Sequence, residues 1–507
     1  MHWSRSGIAV ALLASLGILI PAPLRALGST PMATPMRCPF KIDKGLRAGK
    51  DVVCGYVVVP ENHDRPSART IKIPYAIFKS HSPNHQPDPI ISLQGGPGGA
   101  WLDELGPAIT PKSASLYYTN RDLVLIDQRG TGFATPSLAC NPPAKKEEDP
   151  LKHTTSEQDA ALQLKIYAQC HDQLVGRGVD LSVYNTIQDA ADIDAVRQAL
   201  GYEQVDLYGV SYGTELVLQI MRAFPTHIRS AVLDSVVPTG SSLILDSIPN
   251  PIRGLDALFA GCAASPTCAS AYPQLENTFY TLVGSLDTKP VTISVKDLST
   301  GKATRQLLTG QGFAGDLVQA EYSSELVPVL PLVIAATARG SYNAAAVLAS
   351  IPLSVAKLVN ESMYYSVECS ESAPYTTAAQ VSAAVAKTPQ PFQHDTLVGT
   401  LAELQLCSAW HVAPVPLSFK QPVRSAIPTL LLAGAYDPIT PVANAKRVAR
   451  TLTTHYLYEF PANGHGQQGS GTCPSAIIAS FQDHPQAAPD ASCLSMLSGP
   501  KWYLPTS

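Results

Sequence analysis

Charge is scarce in this chain: Asp, Glu, Lys and Arg make up 15% of its 507 residues, against 45% hydrophobic. That balance excludes a solvated, disordered polymer and implies a globular protein. Lysine and arginine form no dense block, and the formal net charge is −4, so nothing points to a nucleic-acid partner. No two cysteines have C-x-x-C spacing, which removes the usual signature of zinc and thioredoxin-like sites. Neither a metal nor an organic cofactor is implied. No internal repeat and no long low-complexity segment stands out. The length exceeds one minimal core and fits a large domain carrying an insertion, or two to three domains.

Long apolar runs are also missing, except at the start. Arg5 precedes the run Ile8–Ile20, which Pro21, Pro23 and the small residues Ala26-Leu27-Gly28 follow. A basic start, a short apolar run, a breaker and a small-residue site describe a secretory signal peptide, residues 1–28. An uncleaved membrane anchor is the rival reading, although the run is short for a bilayer span. After cleavage no stable membrane span is expected. The protein is then extracytoplasmic, either periplasmic or secreted. Ten cysteines agree with export, and an oxidising compartment makes five disulfides the default. Sequential pairing closes modest local loops: Cys38–Cys54, Cys140–Cys170, Cys262–Cys268, Cys369–Cys407 and Cys473–Cys493. Connectivity is not deducible from sequence, and buried free thiols are the alternative.

Val52–Pro60 and Thr70–Phe78 read as a hairpin. The apolar segments Pro89–Gln94, Leu123–Asp127, Val205–Tyr208 and Ser230–Asp234 suit strands buried on both faces of a parallel sheet. A helical pattern over 189–201 ends on Gly201. From about 245 to 405 the alternation stops, and Ala-, Ser- and Leu-rich patterns such as Pro331–Arg339 and Thr377–Ala386 predict a mainly helical insertion. The stretch 141–157 reads as an exposed loop. Strands resume at Pro428–Gly434 and His455–Phe460. The expected organisation is a core over 29–245, a helical cap over 246–405 and the remainder of the core over 406–507. That is an α/β fold with a mostly parallel central sheet, whose ligands belong at the carboxyl ends of the strands.

The densest signal is Gly209-Val210-Ser211-Tyr212-Gly213, a G-x-S-x-G turn between the strand at 205–208 and a helix-like segment at 215–222. In that context the turn is a nucleophile elbow of the α/β-hydrolase type, presenting a serine at a helix N-terminus. A serine needs a positioned base, and the base needs an acid to orient it, in the chain order Ser, Asp or Glu, His. Asp437, in Gly434-Ala435-Tyr436-Asp437-Pro438-Ile439-Thr440-Pro441, and His465, in Asn463-Gly464-His465-Gly466, each follow a strand and complete that order. Asp234 is the fallback acid. Gln94-Gly95-Gly96-Pro97-Gly98-Gly99 sits where the oxyanion loop of this class belongs, so Gly96 and Tyr212 are the expected backbone donors. The loop lacks a P-loop lysine and dinucleotide spacing, which argues against a phosphate cradle.

These motifs, together with Asp127-Gln128-Arg129-Gly130-Thr131-Gly132, resemble the prolyl and tripeptidyl aminopeptidase family of α/β-hydrolases. The resemblance covers most of the chain beyond the leader, including a C-terminal segment similar to that of tripeptidyl aminopeptidases. It implies a serine exopeptidase acting on peptides with a free N-terminus, through an acyl-enzyme and without a cofactor. Gln94 and Glu215 depart from the family pattern, where histidine and a basic or aromatic residue are common. Telling a free amine from an amide calls for a carboxylate in the cap. The acidic pair flanking Cys369, Glu368 and Glu371, supplies candidates, and the resemblance favours Glu371. Trp101 is either a pocket wall or core. A carboxylesterase using the same machinery is the rival enzyme, and a non-catalytic binding protein on this fold is the rival class. Nothing in the sequence states the oligomeric state.

Overall fold

The computed structural model describes residues 31–66, 69–298, 300–355 and 358–505. The expected leader at 1–28 lies outside the described residues. Nine strands form one sheet: β1 (Ala33–Met36), β2 (Val52–Pro60), β3 (Thr70–Phe78), β4 (Ile90–Leu93), β5 (Leu123–Ile126), β6 (Val205–Val210), β7 (Ile228–Asp234), and two late strands, Thr429–Gly434 and His455–Phe460. Between β7 and the late strands lies a hairpin, β8 (Val291–Lys296) and β9 (Ala303–Leu308), which makes the late strands β10 and β11. The sheet order is β1-β2-β3-β5-β4-β6-β7-β10-β11, parallel from β5 to β11 and antiparallel from β1 to the β3–β5 pair.

Both faces of this sheet are covered, which is why its strands read as unbroken apolar runs. Leu431 and Ala433 of β10 point into one core with Leu207 of β6 and Val217 of the helix Tyr212–Ala223. Leu430 and Leu432 point to the opposite face, against Ile477 and Phe481 of the helix Thr472–Asp483. The two-residue alternation of a strand distributes its side chains between the two layers.

The inserted region carries helices from Leu243–Asp246 to Gln390–Trp410 and packs around its own apolar core, which includes Phe259, Phe279, Phe313 and Leu317. Leu330–Ala338, terminated by Arg339 and the left-handed Gly340, and Ala378–Val385, capped by Thr377, match the helical patterns read there. The β8–β9 hairpin corrects the expectation that strands pause throughout this stretch. Its signal is the short alternation Val291-Thr292-Ile293-Ser294-Val295-Lys296, with only Ile293 and Val295 buried, set among longer helical patterns. The expected loop at 141–157 is mostly exposed, with one short 3-10 turn at Pro143–Glu147, and it ends at Thr155, which caps the helix Ser156–Gly176.

Five disulfides join Cys38–Cys54, Cys140–Cys170, Cys262–Cys268, Cys369–Cys407 and Cys473–Cys493. Cys369–Cys407 ties the helix Glu361–Glu371 to Gln390–Trp410. A cross-link of this kind contributes about 2–4 kcal/mol, in the chain-entropy account by restricting the unfolded chain. Among the described residues no helix is long and apolar enough to cross a membrane.

The segment after β5 is a scaffold. Asp127 accepts the N–H of Leu102 through Oδ1 and that of Phe133 through Oδ2. Gln128 Nε2 donates to the carbonyl of Gln94 at 2.8 Å. Arg129, fully buried, forms two bonds of 2.8 Å to Asp192 and donates to the carbonyls of Glu61 and Val183. Breaking a buried ion pair from one side strands the other charge. Arg129→Ala should therefore lower unfolding stability by about 3–5 kcal/mol in a urea titration. A loss below about 1 kcal/mol would mean that His63, which also bonds Asp192 at 2.6 Å, suffices to hold the carboxylate.

Candidate active site

Ser211 stands between β6 and the helix Tyr212–Ala223 with φ 57° and ψ −129°. A non-glycine residue in that conformation is strained, and strain of this kind persists only where the surroundings impose it. The surroundings are two glycines. A Cβ on Gly209 would lie 2.4 Å from the carbonyl oxygen of Gly213, and one on Gly213 would lie 2.4 Å from that of Leu93. Only bare backbone lets strand, helix and the neighbouring β4 approach so closely. The serine thus projects from the tip of β6 at a helix N-terminus.

Asp437 follows β10 and is fully buried. Its Oδ1 accepts the N–H groups of Ile439 (2.9 Å) and Thr440 (2.7 Å). Its Oδ2 accepts the Thr440 hydroxyl at 2.6 Å and His465 Nδ1 at 2.9 Å. Burial pushes this carboxyl up, but the His465 charge and these hydrogen bonds outweigh it and hold it below its ordinary value. Burial likewise acts to lower the His465 imidazole, and the Asp437 charge and hydrogen bond reverse the sign, leaving it raised. With Nδ1 committed to Asp437, Nε2 is the ring nitrogen left for a reactant.

The histidine loop is anchored from several sides. His465 N–H donates to the carbonyl of Tyr322 at 3.0 Å, and the Tyr322 ring centroid lies 4.8 Å from the imidazole. Gly464 N–H donates to Ser324 Oγ and Gly466 N–H to Ser235 Oγ. Asp234, the fallback acid, is occupied two residues further on. Its carboxylate accepts the N–H groups of Gln467 and Gln468 and the Tyr208 hydroxyl, so it braces the loop.

Ser211 and His465 line one cavity of about 710 Å³, although no hydrogen bond joins Ser211 Oγ to the imidazole. Such contacts commonly tighten only with a reactant bound. The glycine loop forms part of the same wall. A Cβ on Gly95 would fall 2.6 Å from Ser211 Cβ, and Gly96 has φ 114°. Gly95 N–H is taken by Gln94 Oε1 at 2.7 Å, whereas Gly96 lines the cavity. Tyr212 is the first helical residue, whose N–H has no intrahelical acceptor. Trp101 is a wall of the cavity rather than closed core.

The acidic pair flanking Cys369 lies elsewhere. Glu371 is buried and accepts the backbone N–H (2.7 Å) and hydroxyl (2.9 Å) of Thr186, the first residue of the helix that Asn185 caps, and burial pushes its carboxyl up to about 7. Glu368 is 1% exposed, and its carboxyl is pushed up to about 8, chiefly by burial. Neither lines the cavity over Ser211. Glu215 is buried as well, and burial followed by the Glu371 charge raises its carboxyl well above the ordinary value. These positions do not support the expectation that Glu371 or Glu368 meets a substrate amine: both carboxylates are buried, and neither is among the residues that line the cavity.

The carboxylate that does line the cavity is Glu104, at the end of the short helix Trp101–Glu104 just after the glycine loop. It accepts a hydrogen bond from Gln94 Nε2. Burial, partly offset by that bond, raises its carboxyl above the ordinary value. Sequence reasoning missed it because one glutamate five positions after Gly99 has no periodic or motif signature. Tyr322 and Ser324 were also missed, since the inserted region gives no sequence cue to which of its turns reaches the histidine.

Residues 88–472 match the family described as alpha/beta hydrolase fold. A tripeptidyl aminopeptidase of Streptomyces coelicolor is 32% identical over 194 residues, which is 37% of this chain and 36% of that protein. The matched stretch thus spans about a third of that relative's length. Carboxylesterase B of Mycobacterium tuberculosis is 28% identical over 266 residues, half of each chain. Serine protease Hip1 of the same organism is 25% identical over 423 residues, 79% of each chain.

Proposed function

The chain belongs to the α/β-hydrolase fold family, and from that premise we propose that it is an exported serine exopeptidase. It releases residues or short peptides from the free N-termini of peptides. The observation that carries the reading is the pairing of a strained Ser211 with His465 on one cavity, the imidazole held by buried Asp437. Ser211 Oγ attacks the scissile carbonyl while His465 Nε2 takes its proton. The oxyanion is met by the N–H groups of Gly96 and Tyr212. His465 then protonates the leaving amine as the C–N bond breaks, and water repeats the sequence to free the acyl group. Asp437 keeps the imidazole in the tautomer that can accept at Nε2.

Export is supported by the apolar leader at 1–28 and by the five disulfides. We divide the chain beyond the leader into core (29–245), cap (246–405) and core (406–507). Relatives named as an aminopeptidase and a protease support peptide substrates. The relative named Carboxylesterase B keeps a second reading open, hydrolysis of small esters by the same residues. A panel of free and N-acetylated peptidyl anilides with short-chain 4-nitrophenyl esters separates the two. Preferred cleavage of the free peptides is the expected result, and dominant ester turnover with negligible peptide release would favour the esterase.

The pH dependence has a definite sign. Only the neutral imidazole can take a proton, and its raised pKa means it stays protonated to higher pH than an ordinary histidine. For an uncharged ester, kcat/KM should fall on acidification through a midpoint above about 6.5, the ordinary histidine value. A midpoint at or below that value would contradict the role given to Asp437.

A further inference from the structure

Among the side chains lining the cavity over Ser211, one carries a formal charge in its ordinary state at neutral pH: Glu104. Among the described residues no lysine or arginine pairs with it. Its polar neighbour is neutral, since Gln94 Nε2 donates to Oε2 and leaves Oε1 without a bond from that amide. The glutamine is fixed at its other end, where Oε1 accepts the N–H of Gly95 at 2.7 Å. Its backbone carbonyl is held in turn by Gln128 Nε2. Gly95 packs against Ser211, with a virtual Cβ 2.6 Å from Ser211 Cβ. A continuous chain of contacts therefore runs from the nucleophile through Gly95 and Gln94 to a half-buried carboxylate. Trp101 and Tyr117 line the same cavity, and aromatic rings attract an alkylammonium.

A lone carboxylate in a partly desolvated cavity is costly unless a cation joins it, and among the described residues no lysine or arginine does so. We propose that Glu104, oriented by Gln94, receives the α-ammonium group of the substrate and so sets the preference for a free N-terminus. The assignment rests on the exopeptidase reading and gives it a residue. An N-acylated substrate forfeits the charge-assisted contact and leaves Glu104 with no cationic partner, only the neutral Gln94 amide. A substrate with an acidic first residue brings like charge to the same wall. Both penalties are borne by the substrate's amino end and do not touch the steps at Ser211.

The test compares kcat/KM for three substrates: an aminoacyl or peptidyl 4-nitroanilide, its N-acetylated form, and 4-nitrophenyl butyrate. Wild type is set beside Glu104→Gln, which keeps the shape and removes the charge, and Glu104→Asp, which keeps the charge. Wild type should favour the free amine by about ten- to a hundredfold, the range for a hydrogen bond to a charged group. In Glu104→Gln that preference should collapse, mainly through KM, with butyrate turnover within about threefold of wild type. Glu104→Asp should retain part of it.

A wild type that prefers the free amine, paired with a Glu104→Gln variant that still does, would overturn the assignment while leaving the exopeptidase reading intact. A wild type indifferent to acetylation would remove the exopeptidase reading and the assignment together. Equal loss of peptide and butyrate turnover in both variants would show that the residue holds the loop, and would also reject the proposal.

Discussion

Ser211→Ala should lower kcat by roughly 10⁶-fold while leaving the unfolding midpoint within about 1 kcal/mol of wild type. The rate loss follows from the role: without Oγ no acyl-enzyme forms, and His465 has nothing to activate but water. The near-neutral stability follows from the site. Ser211 holds φ 57°, so the elbow is imposed by Gly209, Gly213 and the approach of β4, not by the hydroxyl. Alanine tolerates that conformation no worse than serine by much, and it removes no hydrogen bond that the fold depends on. Residues of such a set act as a unit, so adding His465→Ala should cost little more than the single change. Active-site titration with a fluorophosphonate should label wild type and leave the variant blank. Near-normal turnover in Ser211→Ala would discard the mechanism, whatever the substrate.

The second large effect is at Asp437. Asp437→Asn should reduce kcat by about 10⁴-fold. Oδ1 accepts two backbone N–H groups, from Ile439 and Thr440, so an asparagine would keep its carbonyl there. Its NH₂ would then face the Thr440 hydroxyl and His465 Nδ1, where the carboxylate now accepts. A donor at that place stabilises the tautomer protonated on Nε2, which cannot take the serine's proton. Removing the negative charge should also drop the acid limb of kcat/KM toward lower pH, because the Asp437 charge is what raises the imidazole. Steady-state kinetics across pH checks both effects in one variant. A loss of less than about tenfold would mean that another carboxylate orients the ring. Asp234, tied to Gln467, Gln468 and Tyr208, is badly placed for that task.

Much of the sheet was legible because its strands are covered on both faces and therefore read as short apolar runs. β2, β3 and β11 begin and end at the residues where the pattern starts and stops. β6 runs on to Val210, two residues past its expected end, since the strand leads directly into the elbow. The elbow, the aspartate loop and the histidine loop were legible for a related reason. Each is a strand end followed by residues of restricted type, which makes its place in the chain order informative. One helix end was read from its closing glycine, Gly201, which takes the left-handed φ of 77° expected there.

The proposed amine site was not legible. Glu368 and Glu371 stand out in sequence as an acidic pair beside a cysteine, but linear proximity does not say which way a helix faces. The fold buries both and sets Glu371 against Thr186. Glu104 has no such prominence. It reaches the cavity because Gly99 N–H turns back to the Gly95 carbonyl and the short helix that follows sets its last residue against Gln94.

By itself, the sequence determined the α/β architecture, the G-x-S-x-G turn at a strand end, and the even set of cysteines available for cross-linking. These depend on local backbone demands and on periodic burial, which residue types and spacings report directly. Only the tertiary structure decided that Asp437 rather than Asp234 meets the imidazole, that Tyr322 and Ser324 of the insertion hold the histidine loop, and that Glu104 is the carboxylate in the cavity. Those outcomes depend on which distant segments pack together and on which way each side chain turns, and neither is encoded in the spacing of residues along the chain.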